Sequence, residues 1–195
     1  MKDGRIKNIK IDRDPEGSQV KAFQTVHEAY QFLQSLGASQ KLILHVKLVG
    51  EAADLLISKL HELRVRFDEK YFRLGVVFHD AGKILHPEEL NAKGNNHEPD
   101  GEKLLLANGV DRKLARCCRS HGRWQTMECS LEELLVALAD TLWKGKRDRQ
   151  LEDSIVNRLA TQCNKDYWEL FVEIDSCFEA IASDGDSRLL RSQAA

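Results

Sequence analysis

His79 and Asp80 close an apolar run, Phe72-Arg73-Leu74-Gly75-Val76-Val77-Phe78, and are followed by Ala81-Gly82-Lys83. An imidazole beside a carboxylate in that setting offers two ligands for a divalent metal. Neutral imidazole and carboxylate suit Zn, Fe, Mn or Ni, whereas Mg prefers oxygen. A helix end carrying a half-buried histidine and a capping aspartate would present the same pair, so its meaning depends on its company. His45, His97, His121 and Asp140 are polar residues that likewise fall inside apolar helical patterns or at their ends. Asp140 is flanked by Ala137, Ala139 and Leu142, a setting in which an unpaired carboxylate is costly. Packed helices could bring all six side chains to one centre.

The elements that would position them are helical. From Val20 to Leu36 the spacing of Phe23, Val26, Ala29, Tyr30 and Leu33 predicts a helix, ended by Gly37. Leu42 to Leu63 carries the longest apolar stripe, Leu48, Val49, Ala52, Leu55, Leu56 and Leu60, and His45 lies on it. His27 and His61 are expected at the surface. Phe67 to Phe78 predicts a helix that delivers His79, with Gly82 and His86-Pro87 ending it. Pro87 to Asn96 is polar and contains Gly94-Asn95-Asn96, which marks a mobile loop beside a site. Pro99 then places His97 just outside the N-terminus of the next helix. Glu102–Leu106 and Leu114–Arg119 predict two short helices, the second followed by His121 and ended by Gly122. Leu131–Lys146, Ile155–Leu159 and Tyr167–Ile181 predict the rest. No alternating strand and no repeat is evident, so the expected class is all-α, a single domain of six to eight helices.

Composition bounds the function. With 195 residues the chain suits one ordinary domain. Its net charge of -2 excludes the global basic field of a sequence-independent nucleic-acid binder, so no extended nucleic-acid surface is expected. Five cysteines without a CxxC pair argue against a disulfide framework or a zinc ribbon and favour a reducing, cytoplasmic setting. Cys117 and Cys118 are adjacent, point apart on a helix and are expected as packing residues. No stretch approaches the roughly 20 apolar residues that span a bilayer, so no membrane partner is expected.

The order His45, His79-Asp80, Asp140 resembles the HD-domain superfamily of metal-dependent phosphohydrolases, whose pattern runs H, HD, then a distant D. The resemblance covers about Leu42 to Arg149. His79-Asp80-Ala81-Gly82-Lys83 is similar to the HDxGK form of the cyclic-dinucleotide phosphodiesterase branch and of small HD hydrolases, although no Gly-Tyr-Pro signature follows. His97 and His121, with Ala139-Asp140 ahead of a basic stretch, resemble the six-ligand subset that includes HD-type diadenosine tetraphosphate hydrolases.

That resemblance implies an HD-type helical bundle over residues 20–182, with residues 1–19 as an N-terminal arm or hairpin turning at Asp14-Pro15-Glu16-Gly17 and residues 183–195 as a frayed tail. It implies one or two divalent transition metals, Mn, Fe, Co, Ni or Zn, with Mg also allowed. His45, His79, Asp80 and Asp140 would form one site, and Asp80 would bridge to a second ion held by His97 and His121. Two ions about 3.5–4 Å apart share a hydroxide and clamp a phosphoryl oxygen. The expected activity is hydrolysis of a phosphoester or phosphoanhydride in a nucleotide-like small molecule by a metal-activated hydroxide, with Asp80 and Lys83 as catalytic groups. Lys83, Arg123, Lys144 and Arg147 are the candidate phosphate clamps, and Trp124 is a candidate stacking or core residue. Two other readings use the same residues: an HD-fold di-iron oxygenase, and a binding module that senses a nucleotide. The oligomeric state is not specified by the sequence.

Overall fold

Ser39 accepts a hydrogen bond from the Leu42 amide and so starts the longest helix of the chain. In the computed structural model, which describes residues 11–13 and 19–193, the elements run in order β1 (Ile11–Arg13), β2 (Gln19–Lys21), α1 (Val26–Ser35), α2 (Gln40–Glu62), α3 (Glu69–Phe78), α4 (His97–Ala107), α5 (Arg112–Ala115), α6 (Cys117–Arg123), α7 (Leu131–Leu142), α8 (Arg149–Cys163), α9 (Tyr167–Ser183) and α10 (Gly185–Ser192). Short 3-10 turns at Ala81–Ile84 and Pro87–Leu90 lie between α3 and α4. The class is all-α, as expected.

Beside the main helices of the bundle, the 112–123 stretch is cut into two short pieces and the expected frayed tail carries a short helix. A short antiparallel pair, β1 with β2, joins residues 11–13 to residues 19–21. Three residues per strand are too few for alternation to register as a pattern. The turn expected at residues 14–17 lies outside the described residues.

Two cores flank α3, and its sequence serves both. Phe72 and Val76 join Leu48, Val49 and Ala52 of α2, Leu134, Leu135 and Leu138 of α7, and the inner faces of α8 and α9. Tyr71, Leu74, Val77 and Phe78 turn the other way, onto Phe23, Phe32, Ile43, Leu105 and the thiols Cys117 and Cys118. These positions alternate around the helix with the 3.6-residue period. At about 1.5–3 kcal/mol for each large apolar side chain buried, the two contacts hold the C-terminal end of α3 firmly. His79 and Asp80 follow directly from that end.

Two glycines let backbone pack on backbone beside this point. A Cβ on Gly82 would lie 1.9 Å from the carbonyl oxygen of His97, and one on Gly101 would lie 2.7 Å from the Gly82 amide nitrogen. The 81–84 turn and α4 therefore approach more closely than any side chain would permit, which brings His97 beside Asp80.

The C-terminal helix corrects the frayed-tail expectation through Arg188, which is 1% exposed. Its guanidinium donates to Trp143 O at 2.8 Å, to Leu142 O at 3.4 Å and to Ile181 O, and pairs with Asp184. The first two acceptors are carbonyls at the end of α7, where Leu142 O also accepts from the Gly145 amide, so Arg188 caps the helix that carries Asp140.

Candidate metal centre

Six side chains from five helices and the turn after α3 converge. His45 comes from the second turn of α2, His79 caps α3, Asp80 precedes the first 3-10 turn, His97 is the first residue of α4, His121 sits in α6 and Asp140 in α7. His97 thus opens its helix instead of lying just outside it. His79, Asp80, His45 and His97 are buried.

Asp80 divides the group in two. Its Oδ2 lies 2.7 Å from His45 Nε2 and 3.4 Å from His79 Nε2. Its Oδ1 lies 3.2 Å from His97 Nε2 and 3.7 Å from His121 Nε2. Asp140 Oδ1 completes the first set at 3.6 Å from His79 and 3.9 Å from His45. His45, His79, Asp80 and Asp140 form one cluster in which each residue offers a ligand atom within 4.8 Å of the others, and Asp80, His97 and His121 form a second. Ligands placed about 2.1 Å from one ion in tetrahedral or octahedral array stand roughly 3.0–3.5 Å apart, so these spacings suit a shared cation.

The protons are arranged for ligation. His79 Nδ1 donates to Val76 O at 2.7 Å, His121 Nδ1 to Cys117 O at 3.1 Å, and His97 Nδ1 to the Glu89 carboxylate at 2.5 Å. Each bond commits Nδ1 as the donor, so that the neutral ring presents its Nε2 lone pair to the centre. His45 Nε2, His79 Nε2, His97 Nε2 and Asp80 Oδ1 are all buried without a hydrogen-bond partner. Four such atoms aimed at one another are costly as they stand, and a divalent cation satisfies them. The donor set therefore fits one or two metal ions.

The electrostatics are those of a coupled cluster. Burial lowers the pKa of His45 against the pull of Asp80, and burial together with the charge of His79 lowers that of His121. Burial also opposes protonation of His79, but Asp80 and Asp140 outweigh it and hold His79 above its ordinary value. Asp80 and Asp140 resist the raising effect of burial and stay well below the usual carboxylate range, Asp80 through His79 and Asp140 through Lys144.

A cavity of about 280 Å³ opens onto the cluster, bounded by Lys41, Lys83, Lys93, Lys144, Trp143 and the Glu89–Gly94 segment among others. Lys83 Nζ donates to Asp80 Oδ2 at 2.6 Å and Lys144 Nζ to Asp140 Oδ2 at 3.0 Å. These two of the four expected clamps stand beside the cluster.

The other two do not line the cavity. Arg123 pairs with Glu98 at 2.5 Å, tying α6 to α4. Two residues after His121, it points to a different face of the helix. Arg147 makes a bidentate pair with Glu152 and a further bond to Asp175. The chain turns at Gly145, where φ is +76°, so the helical spacing from Asp140 does not extend to it. Trp124 packs against the larger core, and Cys117 and Cys118 are buried packing residues.

The cavity also holds charged and aromatic residues that the sequence does not single out, Lys41, Glu89, Lys93 and Trp143. Lys41 stands one turn before His45, a spacing that could have revealed it, and it holds Asn91 Oδ1 at 2.5 Å. Glu89 lies in the second 3-10 turn and Lys93 in the polar loop that follows it. Trp143 donates its Nε1 to Asp140 Oδ1 at 3.1 Å and sets its ring edge-on to His45.

Residues 42–143 match the family model described as HD domain. A tRNA (cytidine(56)-2'-O)-methyltransferase of Thermoplasma volcanium is 25% identical over 164 residues, which cover 76% of this chain and 45% of that protein. The chain thus spans less than half the length of this curated relative. No solved structure matches the chain.

Proposed function

We propose, from the premise that this chain belongs to the HD-domain family, that it is a metal-dependent phosphohydrolase. Its substrate in this reading is the phosphoester or phosphoanhydride of a nucleotide-like small molecule. The observation that supports it best is the division of labour in Asp80, whose two oxygens face two separate groups of imidazoles. His45, His79, Asp80 and Asp140 would hold one ion, and Asp80, His97 and His121 a second. A divalent ion held there would acidify water and withdraw charge from a phosphoryl oxygen.

The protein's own groups prepare the reaction. Lys83 keeps a positive charge fixed on Asp80, where it can neutralise a nonbridging oxygen as charge builds on the phosphoryl group. Lys144 does the same from Asp140 and gains in effect from its partly buried position. Trp143 covers His45 from one side and steadies Asp140 by its indole N–H. In the balanced step, water oxygen bonds to phosphorus, the bond from phosphorus to the leaving oxygen breaks, and a proton from that water ends on the leaving group.

The relative's name speaks of RNA methylation, but the part it shares with this chain is under half of that protein. The ligand cluster and the lysines beside it suit phosphate chemistry. The test is metal analysis of the purified protein joined to a hydrolysis screen of nucleotides, dinucleoside polyphosphates and cyclic dinucleotides with Mn, Fe, Co or Ni. Turnover supported by redox-inert Zn or Mg would separate hydrolysis from iron-dependent oxygenation. An absence of turnover across the screen, with metal bound, would refute the proposal.

A further inference from the structure

We infer that Lys41 and Lys93 form a second anion subsite beside the metal ligands, so that the substrate carries at least two phosphoryl groups and is selected by charge instead of by its base. This rests on the phosphohydrolase reading above and narrows its substrate class.

The first observation is a charge imbalance. Four lysines, Lys41, Lys83, Lys93 and Lys144, line the cavity against three carboxylates, Asp80, Glu89 and Asp140. Lys83 and Lys144 are paired with Asp80 and Asp140, and Glu89 is committed to His97. Among the described residues, Lys41 meets only the neutral amide oxygen of Asn91, and Lys93 is exposed with no ion pair. Against the three carboxylates, one divalent ion in the cluster would leave the cavity with a surplus of three positive charges and two ions a surplus of five. A single phosphoryl group, at most doubly charged, offsets only part of that surplus.

The second observation is position. Lys41 is in the first turn of α2, one turn before His45, and that turn carries no acidic residue. Its bond to Asn91 joins α2 to the loop in which Lys93 follows two residues later, and both lysines line the cavity, while Lys83 and Lys144 sit on the ligands themselves. One phosphoryl group at the metal ligands thus leaves Lys41 and Lys93 for another.

The third observation concerns the base. Apart from imidazoles, the aromatic ring among the residues lining the cavity is Trp143, which is 7% exposed, tied to Asp140 and set edge-on to His45. It offers no open face for stacking. Trp124 belongs to the core packing. Selection among bases needs stacking or hydrogen bonds to base edges, and the cavity wall supplies ammonium groups, which read phosphate.

The test is equilibrium binding of orthophosphate, pyrophosphate, and adenosine and cytidine 5'-diphosphates to Mn-loaded protein at constant free Mn. Wild type and the double variant Lys41→Gln/Lys93→Gln are compared, with thermal melting as the check on folding. The wild type should bind pyrophosphate roughly tenfold or more tightly than orthophosphate, and the variant should lose that ratio while keeping its orthophosphate affinity. The two nucleoside diphosphates should agree within about threefold. A ratio that survives in the variant, a wild type without the ratio, or a tenfold preference for one base would each overturn the inference. The binding ratio is read without turnover, so its presence in a protein that hydrolyses nothing would leave the subsite standing and refute only the phosphohydrolase reading.

Discussion

Asp80 Oδ2 lies 2.7 Å from His45 Nε2, while the other oxygen of the same carboxylate lies 3.2 Å from His97 Nε2. One side chain therefore belongs to both halves of the cluster. Asp80→Ala should leave the purified protein nearly free of metal and lower turnover by roughly a thousandfold or more. His97→Ala should keep the ion of the other half. Metal-to-protein ratios from elemental analysis distinguish the two variants, and equal metal loss in both would contradict the division.

Glu89 backs His97 at 2.5 Å and also accepts from the amides of Asn96 and His97. Glu89→Gln retains an oxygen for the amides but removes the carboxylate behind the imidazole. Metal affinity should fall by about 10–100-fold at the second position and be unchanged at the first. Calorimetric titration resolves the two sites, and a uniform loss at both would argue for a purely structural role.

Gly82→Ala would drive a methyl group into the His97 carbonyl, 1.9 Å away. The contact is backbone on both sides and cannot yield cheaply. Stability in urea should fall by about 1–3 kcal/mol, and α4 should shift enough to weaken the ion at His97 selectively. A variant with wild-type stability and two ions would show the close approach to be dispensable.

Metal binding should release protons and tighten as pH rises. Asp80 and Asp140 hold His79 above its ordinary pKa against the effect of burial, so at neutral pH the metal-free imidazole is protonated. A metal ion needs the neutral ring. His45 and His121 are shifted downward and contribute no proton at neutral pH. Affinity should therefore rise with pH until it reaches the raised His79 pKa and then level off. Titrations in buffers of different ionisation enthalpy measure the proton release directly, and a buffer-independent heat would contradict it.

The sequence makes the ligands legible because imidazoles and carboxylates inside apolar helical patterns need a partner, and His45, His79 and Asp140 sit on such patterns. It also made the all-α class legible, through the long stripes of α2 and α7. It failed where position depends on a chain reversal. Arg147, a candidate clamp, would lie two turns beyond Asp140 on a continuous helix, but α7 ends at Leu142 and Gly145 redirects the chain. Asp184-Gly185-Asp186 read as the start of a loose tail, yet Gly185 is needed because a Cβ there would lie 2.2 Å from the Gly145 amide nitrogen. Glu89 and Lys93 had no periodic context from which to be inferred.

The cap that Arg188 places on α7 links two segments 45 residues apart. A ribosome delivers Asp140 well before it delivers that cap. All six ligand residues are thus synthesised before the arginine that closes the end of the helix beside Asp140, and that helix end gains its cap only when α10 packs against it.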